Sequence, residues 1–298
     1  KAEDADTLNF TTANPAISAT YQWIGIEQQE TPLQYSNLQV RRNKTSKSIT
    51  IATKNVRVLQ LLPDAFSAGE SFKLSIDGQE VCTTCKTGTA PLFFVKNTSW
   101  QAAEAPAPQQ RNAQRNGTFK EAFKHKMVFV YGTTGTKEEN EWAYQKAVLD
   151  AETWYYRGNG AVDLIADKDF NPSTYANRGI ILFGNATTNN AWPKLLANCP
   201  IQIERGKVKL GAEEYSGADL GVYFTYPRPD SPLASVSVVA GTGLMGMKAA
   251  WANQYFAAGS GFPDYLIFSA EMPKDGTKAI RATGFFDHNW KYKKMDAA

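Results

Sequence analysis

Short apolar runs that end in a glycine-containing turn recur along the C-terminal two-thirds of the chain. They occupy residues 127–133, 179–185 and 235–243, and segments with helical spacing of apolar residues follow them. Strands that are buried on both faces of a parallel sheet have this nearly continuous apolar composition. Because the carboxyl ends of such strands meet at one edge, the pattern predicts an α/β sheet with a crevice at that edge.

The first hundred residues have a different pattern, in which apolar and polar positions alternate. Runs of this kind or rich in aromatic and β-branched residues occupy 20–26, 38–40, 48–51, 56–61 and 72–76. Alternation is typical of half-buried strands, and Asp77-Gly78 is a strong hairpin signal. About seven short strands predict a small immunoglobulin-like β-sandwich over residues 1–100. Residues 101–118 are polar and rich in Ala and Pro, and their composition predicts an exposed linker.

Residues 119–298 alternate between strand and helix patterns. Strands are predicted at 127–131, 162–165, 180–183, 236–240 and 265–268. Thr136 and Glu139 form a capping-box pattern before a helix that continues through Trp154 and ends at a glycine cap within 157–160. Further helices are predicted near 191–196 and from 247 to 256, and a hairpin at 201–210. We therefore expect a doubly wound, mostly parallel α/β sheet of about five strands with an antiparallel appendage.

Composition and charge narrow the classes of partner. The 298 residues are 43% hydrophobic and 20% charged, with a net charge of +3 and no long run of like charges. We therefore expect a globular protein with no nucleic-acid partner and no membrane span. The first residues are too polar for a signal peptide. A removed leader or a fragment of a longer protein agrees with a chain that does not begin with Met.

The three cysteines leave several interpretations open. Cys82-Thr-Thr-Cys85 is an isolated CxxC that we place in a hairpin turn, and Cys199 is distant in sequence. A turn disulfide, two free thiols, or metal or redox chemistry all fit the pair. A zinc site would need two more ligands, and the two histidines, His125 and His288, are far away in sequence.

The predicted crevice contains two anion-binding patterns. Gly241-Thr-Gly-Leu-Met-Gly246 matches a dinucleotide fingerprint, with Glu271 as the acidic residue, but the spacing is too long, and tight strand–helix packing explains the glycines better. The turn 132–136 offers amides and hydroxyls to an anion, although helix capping already explains Thr136. The candidate ligand-binding residues at this edge are Gly132, Thr133, Thr134, Thr136, Gly184, Asn185, Gly241, Thr242 and Gly243.

A complete catalytic site is not visible in the sequence. The sequence has no G-x-S-x-G nucleophile elbow, so His288 has no serine of that kind to activate. The pattern around Gly259-Ser-Gly261 indicates a loop. No pair stands out among the acidic residues 138, 139, 150, 152, 163 and 167. Several aromatic residues lie at helical spacing, and this spacing favours a core or docking role over a sugar-binding platform. They are Trp142, Trp154, Tyr155, Tyr156 and Trp251. We predict no catalytic residue, metal or cofactor in this chain.

An ordered set of short motifs carries a family resemblance. The motifs include Phe119-Lys-Glu-Ala-Phe123, Asp150-Ala-Glu-Thr-Trp154, Leu182-Phe-Gly-Asn185, Ala240-Gly-Thr-Gly243 and, in the β-region, Asn14-Pro-Ala-Ile-Ser18. Together they resemble the C-terminal region of large bacterial α/β-hydrolases of the prolyl-oligopeptidase-like peptidase or esterase type. In these proteins the serine-hydrolase domain precedes this region, so the resemblance implies that the catalytic residues are elsewhere.

The resemblance implies a non-catalytic accessory region of an exported serine hydrolase, located in the periplasm or outside the cell. It would dock on, or position substrate for, an N-terminal hydrolase domain of the same polypeptide or a dimer mate. The alternative is a stand-alone module that binds a sugar or nucleotide at the carboxyl edge of the sheet. A third hypothesis is an independent enzyme with an unrecognised site.

Overall fold

The computed structural model describes residues 4–124 and 126–294, so that His125 and both termini lie outside it. The described chain is a mixed α/β protein with several sheets. Backbone contacts divide it into two compact units. We call the part up to Asn116 unit 1 and the part from Gly117 unit 2. The boundary falls inside the segment 101–118 that composition predicts to be a linker.

Unit 1 is all-β apart from one short 3-10 turn. Its described residues form ten strands: β1 (Thr7–Thr12), β2 (Thr20–Tyr21), β3 (Ile24–Gln29), β4 (Ser36–Asn43), β5 (Ser48–Lys54), β6 (Val56–Leu61), β7 (Ser71–Ile76), β8 (Gln79–Lys86), β9 (Leu92–Lys96) and β10 (Trp100–Ala103). They make two five-stranded sheets, ordered β1-β4-β5-β7-β8 and β10-β9-β6-β3-β2. Inward-facing residues of both sheets, among them Leu38, Ile51, Trp23 and Leu59, share one hydrophobic core.

The hairpin predicted at Asp77-Gly78 joins β7 to β8. Ile76 pairs with Gln79, and both turn residues have positive φ angles, 50° at Asp77 and 80° at Gly78. This is the geometry that Asp-Gly favours in two-residue hairpins. The CxxC pair, however, lies within strand β8 and not in a turn. Cys82 and Cys85 form a disulfide there, beside an irregularity in the pairing with β7.

The end of the predicted linker is packed, whereas its residues 101–109 are exposed or half-buried. The side chains of Arg111 and Arg115 are buried. Arg115 donates to the carbonyl of Pro108, and the carbonyl of Arg111 accepts from Gln28 on β3. Backbone carbonyls therefore anchor this polar segment, an interaction that composition alone does not reveal.

Unit 2 is built on a seven-stranded sheet. Its described strands are β11 (Met127–Tyr131), β12 (Asp163–Ala166), β13 (Gly179–Phe183), β14 (Ile201–Glu204), β15 (Lys207–Leu210), β16 (Glu213–Ser216), β17 (Leu220–Pro227), β18 (Ser235–Gly241), β19 (Tyr265–Ser269) and β20 (Ile280–Gly284). The large sheet has the order β12-β11-β13-β18-β17-β19-β20. Strands β14, β15 and β16 form a separate antiparallel sheet, which is the predicted appendage.

The large sheet is mixed, which corrects the expectation of a mostly parallel sheet. The pairs among β12, β11, β13 and β18 are parallel, whereas β17 pairs antiparallel with both β18 and β19, and β19 with β20. The reason is β17, an apolar strand that inserts between the two predicted neighbours β18 and β19. Its direction depends on pairing across the sheet and has no local signature.

Both faces of the large sheet are covered. The helices are α1 (Lys137–Gly158), α2 (Trp192–Leu196), α3 (Leu244–Ala249) and α4 (Met272–Asp275). Helices α1 and α3 and the 3-10 turn Phe119–Phe123 share a core with one face, through residues such as Phe129 and Val239. Helix α2 and the small sheet share a core with the other face, through Val130 and Val238. Strands covered on both sides need the continuous apolar runs that the sequence shows.

The helix boundaries follow their caps. Helix α1 begins with the predicted capping box: Thr136 Oγ1 accepts from the Glu139 amide, and the Glu139 carboxylate accepts from the Thr136 amide. Its C-cap is Asn159, which adopts the left-handed conformation in place of the expected glycine. Helix α3 is shorter than predicted: it ends at Ala249, and a turn at residues 250–251 separates it from the 3-10 turn Gln254–Phe256.

Candidate functional site

The structure brings the predicted residues together at the carboxyl edge of the large sheet. The turns after β11, β13 and β18 are joined directly by hydrogen bonds. The Gly132 amide donates to the Phe183 carbonyl at 2.9 Å, and the Gly184 amide donates to Val239 at 3.1 Å. The buried Asn185 side chain donates to the Gly241 carbonyl at 2.8 Å. The three turns are therefore one connected edge, as the strand pattern predicts.

This edge is filled by the chain itself. The loop after β13 carries Thr188 and Asn189, both buried, over the carboxyl ends of the central strands. Asn189 Nδ2 donates to the carbonyls of Val130 and Phe183, each at 3.1 Å. The Thr188 carbonyl accepts from the Thr134 amide and lies 2.2 Å from where a Cβ of Gly132 would stand. Gly132 is needed for that close approach, which leaves no space there for a ligand.

Thr188 and Asn189 are not in the predicted set, although a weak signal exists. The polar run 185–190 directly follows a buried strand, which is typical of a functional or capping loop. The run caps the sheet from within the unit, because its side chains satisfy strand-end carbonyls.

The threonines of the turn after β11 also have internal roles. Thr133 Oγ1 donates to Asp167 Oδ1 at 2.5 Å, and the other carboxylate oxygen accepts from the Asn190 amide at 2.6 Å. Asp167 is fully buried and so links two loops at the edge. Thr136 caps α1, whereas Thr134 remains exposed. Most of the hydroxyls that an anion would need are therefore already engaged.

The glycines of the fingerprint at 241–246 serve close packing. A Cβ at Gly241 would stand 2.2 Å from the Met247 amide nitrogen, and one at Gly246 would stand 2.1 Å from the Leu220 carbonyl oxygen. Thr242 is buried, and its carbonyl accepts from the Gly206 amide. Glu271 follows β19, which β17 separates from β18. A dinucleotide site places its acidic residue on the adjacent strand, so this arrangement favours the packing interpretation.

The remaining catalytic candidates are dispersed. Ser260 Oγ contacts the carbonyls of Gln254 and Ala257 and accepts from the Lys120 ammonium, and these contacts within the described part of the chain include no imidazole. His288 Nε2 contacts the Asn289 amide. Over residues 4–124 and 126–294, no group of three acidic, His or Cys side chains is placed to hold a metal ion. No described helix has the length and apolarity needed to cross a bilayer.

A buried ionic cluster in unit 2 was not predicted. Lys146 Nζ donates to Asp150 Oδ1 at 2.6 Å and to the Tyr255 hydroxyl at 2.7 Å, and Tyr255 donates to the other Asp150 oxygen. Burial lowers the pKa of Lys146 and raises that of Asp150, while their mutual attraction opposes both shifts. Burial also raises the pKa of Tyr255. The sequence signal is the i,i+4 spacing of Lys146 and Asp150 on the inner face of α1.

The amine, carboxylate and phenol of this cluster are groups that acid–base catalysis uses, but a substrate has no access to them. All three side chains are at least 96% buried, and they satisfy one another. A substrate cannot reach them in this conformation. The cluster instead ties α1 to the 3-10 turn Gln254–Phe256, which follows α3.

Comparisons with known proteins add no relative. Neither the scan of protein-family models nor the search of curated protein sequences finds a match to this chain.

Proposed function

We propose that this chain is a non-catalytic accessory region of an exported serine hydrolase of the α/β-hydrolase type. It docks on, or positions substrate for, a catalytic domain that lies outside the 298 residues. The observation that carries the proposal is the filled carboxyl edge of the large sheet. In α/β folds this edge is where ligands and catalytic groups gather, and here Thr188 and Asn189 occupy it.

The family resemblance indicates which partner this region would have. It points to a prolyl-oligopeptidase-like peptidase or esterase whose hydrolase domain precedes this region, or to a dimer mate. The Cys82–Cys85 disulfide supports an oxidising compartment, in keeping with the proposed periplasmic or extracellular location.

We also infer the fold class of each unit: an immunoglobulin-like β-sandwich for unit 1 and a doubly wound α/β arrangement for unit 2. Two five-stranded sheets on one core support an immunoglobulin-like β-sandwich for unit 1. Cores on both faces of the large sheet support a doubly wound arrangement for unit 2. A crystal structure of unit 1 tests the first point, since the sheets of an aligned sandwich cross at about 30°. An orthogonal crossing would contradict it.

The alternative function, a sugar or nucleotide site at the carboxyl edge, has less support. Such a ligand would have to displace Thr188 and Asn189 and break their bonds to strand carbonyls. Each buried carbonyl or amide left unpaired would cost about 1–3 kcal/mol.

Labelling with a fluorophosphonate probe tests the proposal on the isolated chain. We expect no labelling above that of a heat-denatured sample and no turnover of p-nitrophenyl acetate above buffer. Ser260→Ala is the matched control, because Ser260 is the serine in the Gly-Ser-Gly loop. Labelling of the native chain that disappears in Ser260→Ala would place a nucleophile in the chain and overturn the proposal.

A further inference from the structure

A groove on the surface of unit 2 lies between the first half of α1 and helix α3. Its volume is about 310 Å³, at the lower end of the range of about 300–1,000 Å³ for ligand pockets. Its lining residues are Glu138, Glu141, Trp142, Gln145, Leu244, Lys248 and Trp251. The α1 positions are spaced i, i+3, i+4 and i+7, and the other three i, i+4 and i+7. The α1 set therefore forms one stripe facing the groove, and Trp251 lines the other side from the turn that follows α3.

Two tryptophans give the groove its apolar surface. Trp251, just after α3, is 38% exposed although it is among the largest apolar side chains. Trp142 is buried, and its indole N–H has no acceptor among the described residues. Trp251 therefore presents the accessible aromatic surface of the groove.

Charge restricts the class of ligand. The lining contains two carboxylates, Glu138 and Glu141, and one ammonium, Lys248, so its net charge is −1. Two carboxylates disfavour a phosphate or another anion, whereas the carboxylates and the ammonium together offer acceptors and donors to hydroxyl groups. The Gln145 amide, which donates to Glu141, adds a group that both donates and accepts. The lining therefore matches a neutral ligand with many hydroxyls and one apolar face.

We propose that this groove binds one or two sugar units of a neutral glycan. The Trp251 indole is the platform on which the apolar face of a sugar ring stacks. Glu141, Gln145 and Lys248 bind the ring hydroxyls at its edge. The site is distinct from the carboxyl edge of the sheet, and the inference stands whether or not the chain belongs to a hydrolase.

Titration of the full chain with neutral oligosaccharides tests this inference. The probes are cellohexaose, xylohexaose, maltohexaose and chitohexaose, followed by intrinsic tryptophan fluorescence and by calorimetry. We expect saturable binding of at least one probe. Trp251→Ala should weaken that binding at least tenfold, and Gln145→Ala severalfold.

Tyr155→Ala is the matched control, because Tyr155, on α1, is an exposed aromatic residue like Trp251 but does not line the groove. It should bind as the wild type does. Circular dichroism and the thermal midpoint confirm that each variant is folded. Absence of saturable binding with all four probes, or wild-type affinity in Trp251→Ala, would overturn the inference.

Discussion

The Lys146 ammonium is buried in the core of unit 2 and depends on two partners for its charge. Removal of one member of a buried ion pair leaves the other uncompensated, which typically costs about 3–5 kcal/mol. We expect Lys146→Met to lower the free energy of unfolding of unit 2 by about that amount, because the buried Asp150 carboxylate loses its cationic partner. Urea denaturation at neutral pH measures the change.

Two variants separate the pair from the packing. Lys146→Met combined with Asp150→Leu removes both charges and should recover more than half of the loss. Lys137→Met, at an exposed position of the same helix, should change the free energy by less than about 0.5 kcal/mol. A loss below about 1 kcal/mol in Lys146→Met would show that the cluster contributes little.

Glu213 holds the C-terminal segment of unit 2 through its carboxylate. It accepts from the Tyr292 hydroxyl and the Lys294 ammonium, both at 2.6 Å, and from Tyr215. These donors lower its pKa from 4.5 to about 2, with the Lys294 bond as the largest cause. A lowered pKa in the folded state means that the stabilisation is present above pH 4.5. It is lost as the pH falls from 4.5 towards 2.

We therefore expect the stability of Glu213→Gln to depend less on pH than that of the wild type. The urea midpoint of the wild type should fall more steeply between pH 4.5 and 2.5 than that of the variant. Glu214→Gln, at the exposed neighbouring position, is the control and should follow the wild type. Equal slopes in the wild type and Glu213→Gln would contradict the assignment.

At the scale of elements, the contact between α3 and β17 depends on Gly246. Because a Cβ there would lie 2.1 Å from the Leu220 carbonyl oxygen, Gly246→Ala must push the helix away from the strand. We expect a loss of at least about 2 kcal/mol in the unfolding free energy of unit 2. Gly261→Ala is the matched control, since nothing lies within 4 Å of its Cβ position. Wild-type stability in Gly246→Ala would exclude the packing role.

The sequence predicts those elements best that are buried on both faces. Strand β11 has the predicted bounds, and β13 and β18 extend the predicted runs by only one or two residues, because continuous apolar runs have few other interpretations. Strand β17 was not predicted, although it is apolar, because its place between β18 and β19 depends on pairing. Strand β20 buries few positions at the sheet edge and so carries a weak signal.

The candidate site was predicted in position but not in detail. Convergence of strand ends places Gly132, Gly184 and Gly241 together without any knowledge of side chains. The conformation of the loop that carries Thr188 and Asn189 depends on bonds to strands far away in sequence. For the same reason the spacing of Lys146 and Asp150 is visible, but Tyr255, more than 100 residues later, is not.

At the scale of the whole molecule, each unit has its own hydrophobic core. A domain with its own core can in principle fold alone. We expect residues 1–116 and 117–298, expressed separately, each to unfold cooperatively in urea with dispersed amide resonances. A fragment that is unfolded in buffer would show that the two units depend on each other.

Probe labelling of the protein from its native source tests the accessory role most directly. An antibody against this chain would isolate the native protein, a fluorophosphonate probe would label it, and peptide mapping would locate the modified serine. We expect a labelled serine outside these 298 residues, on the same polypeptide or on a tightly bound partner. A label within the 298 residues, or no labelled serine in the isolated material, would contradict it.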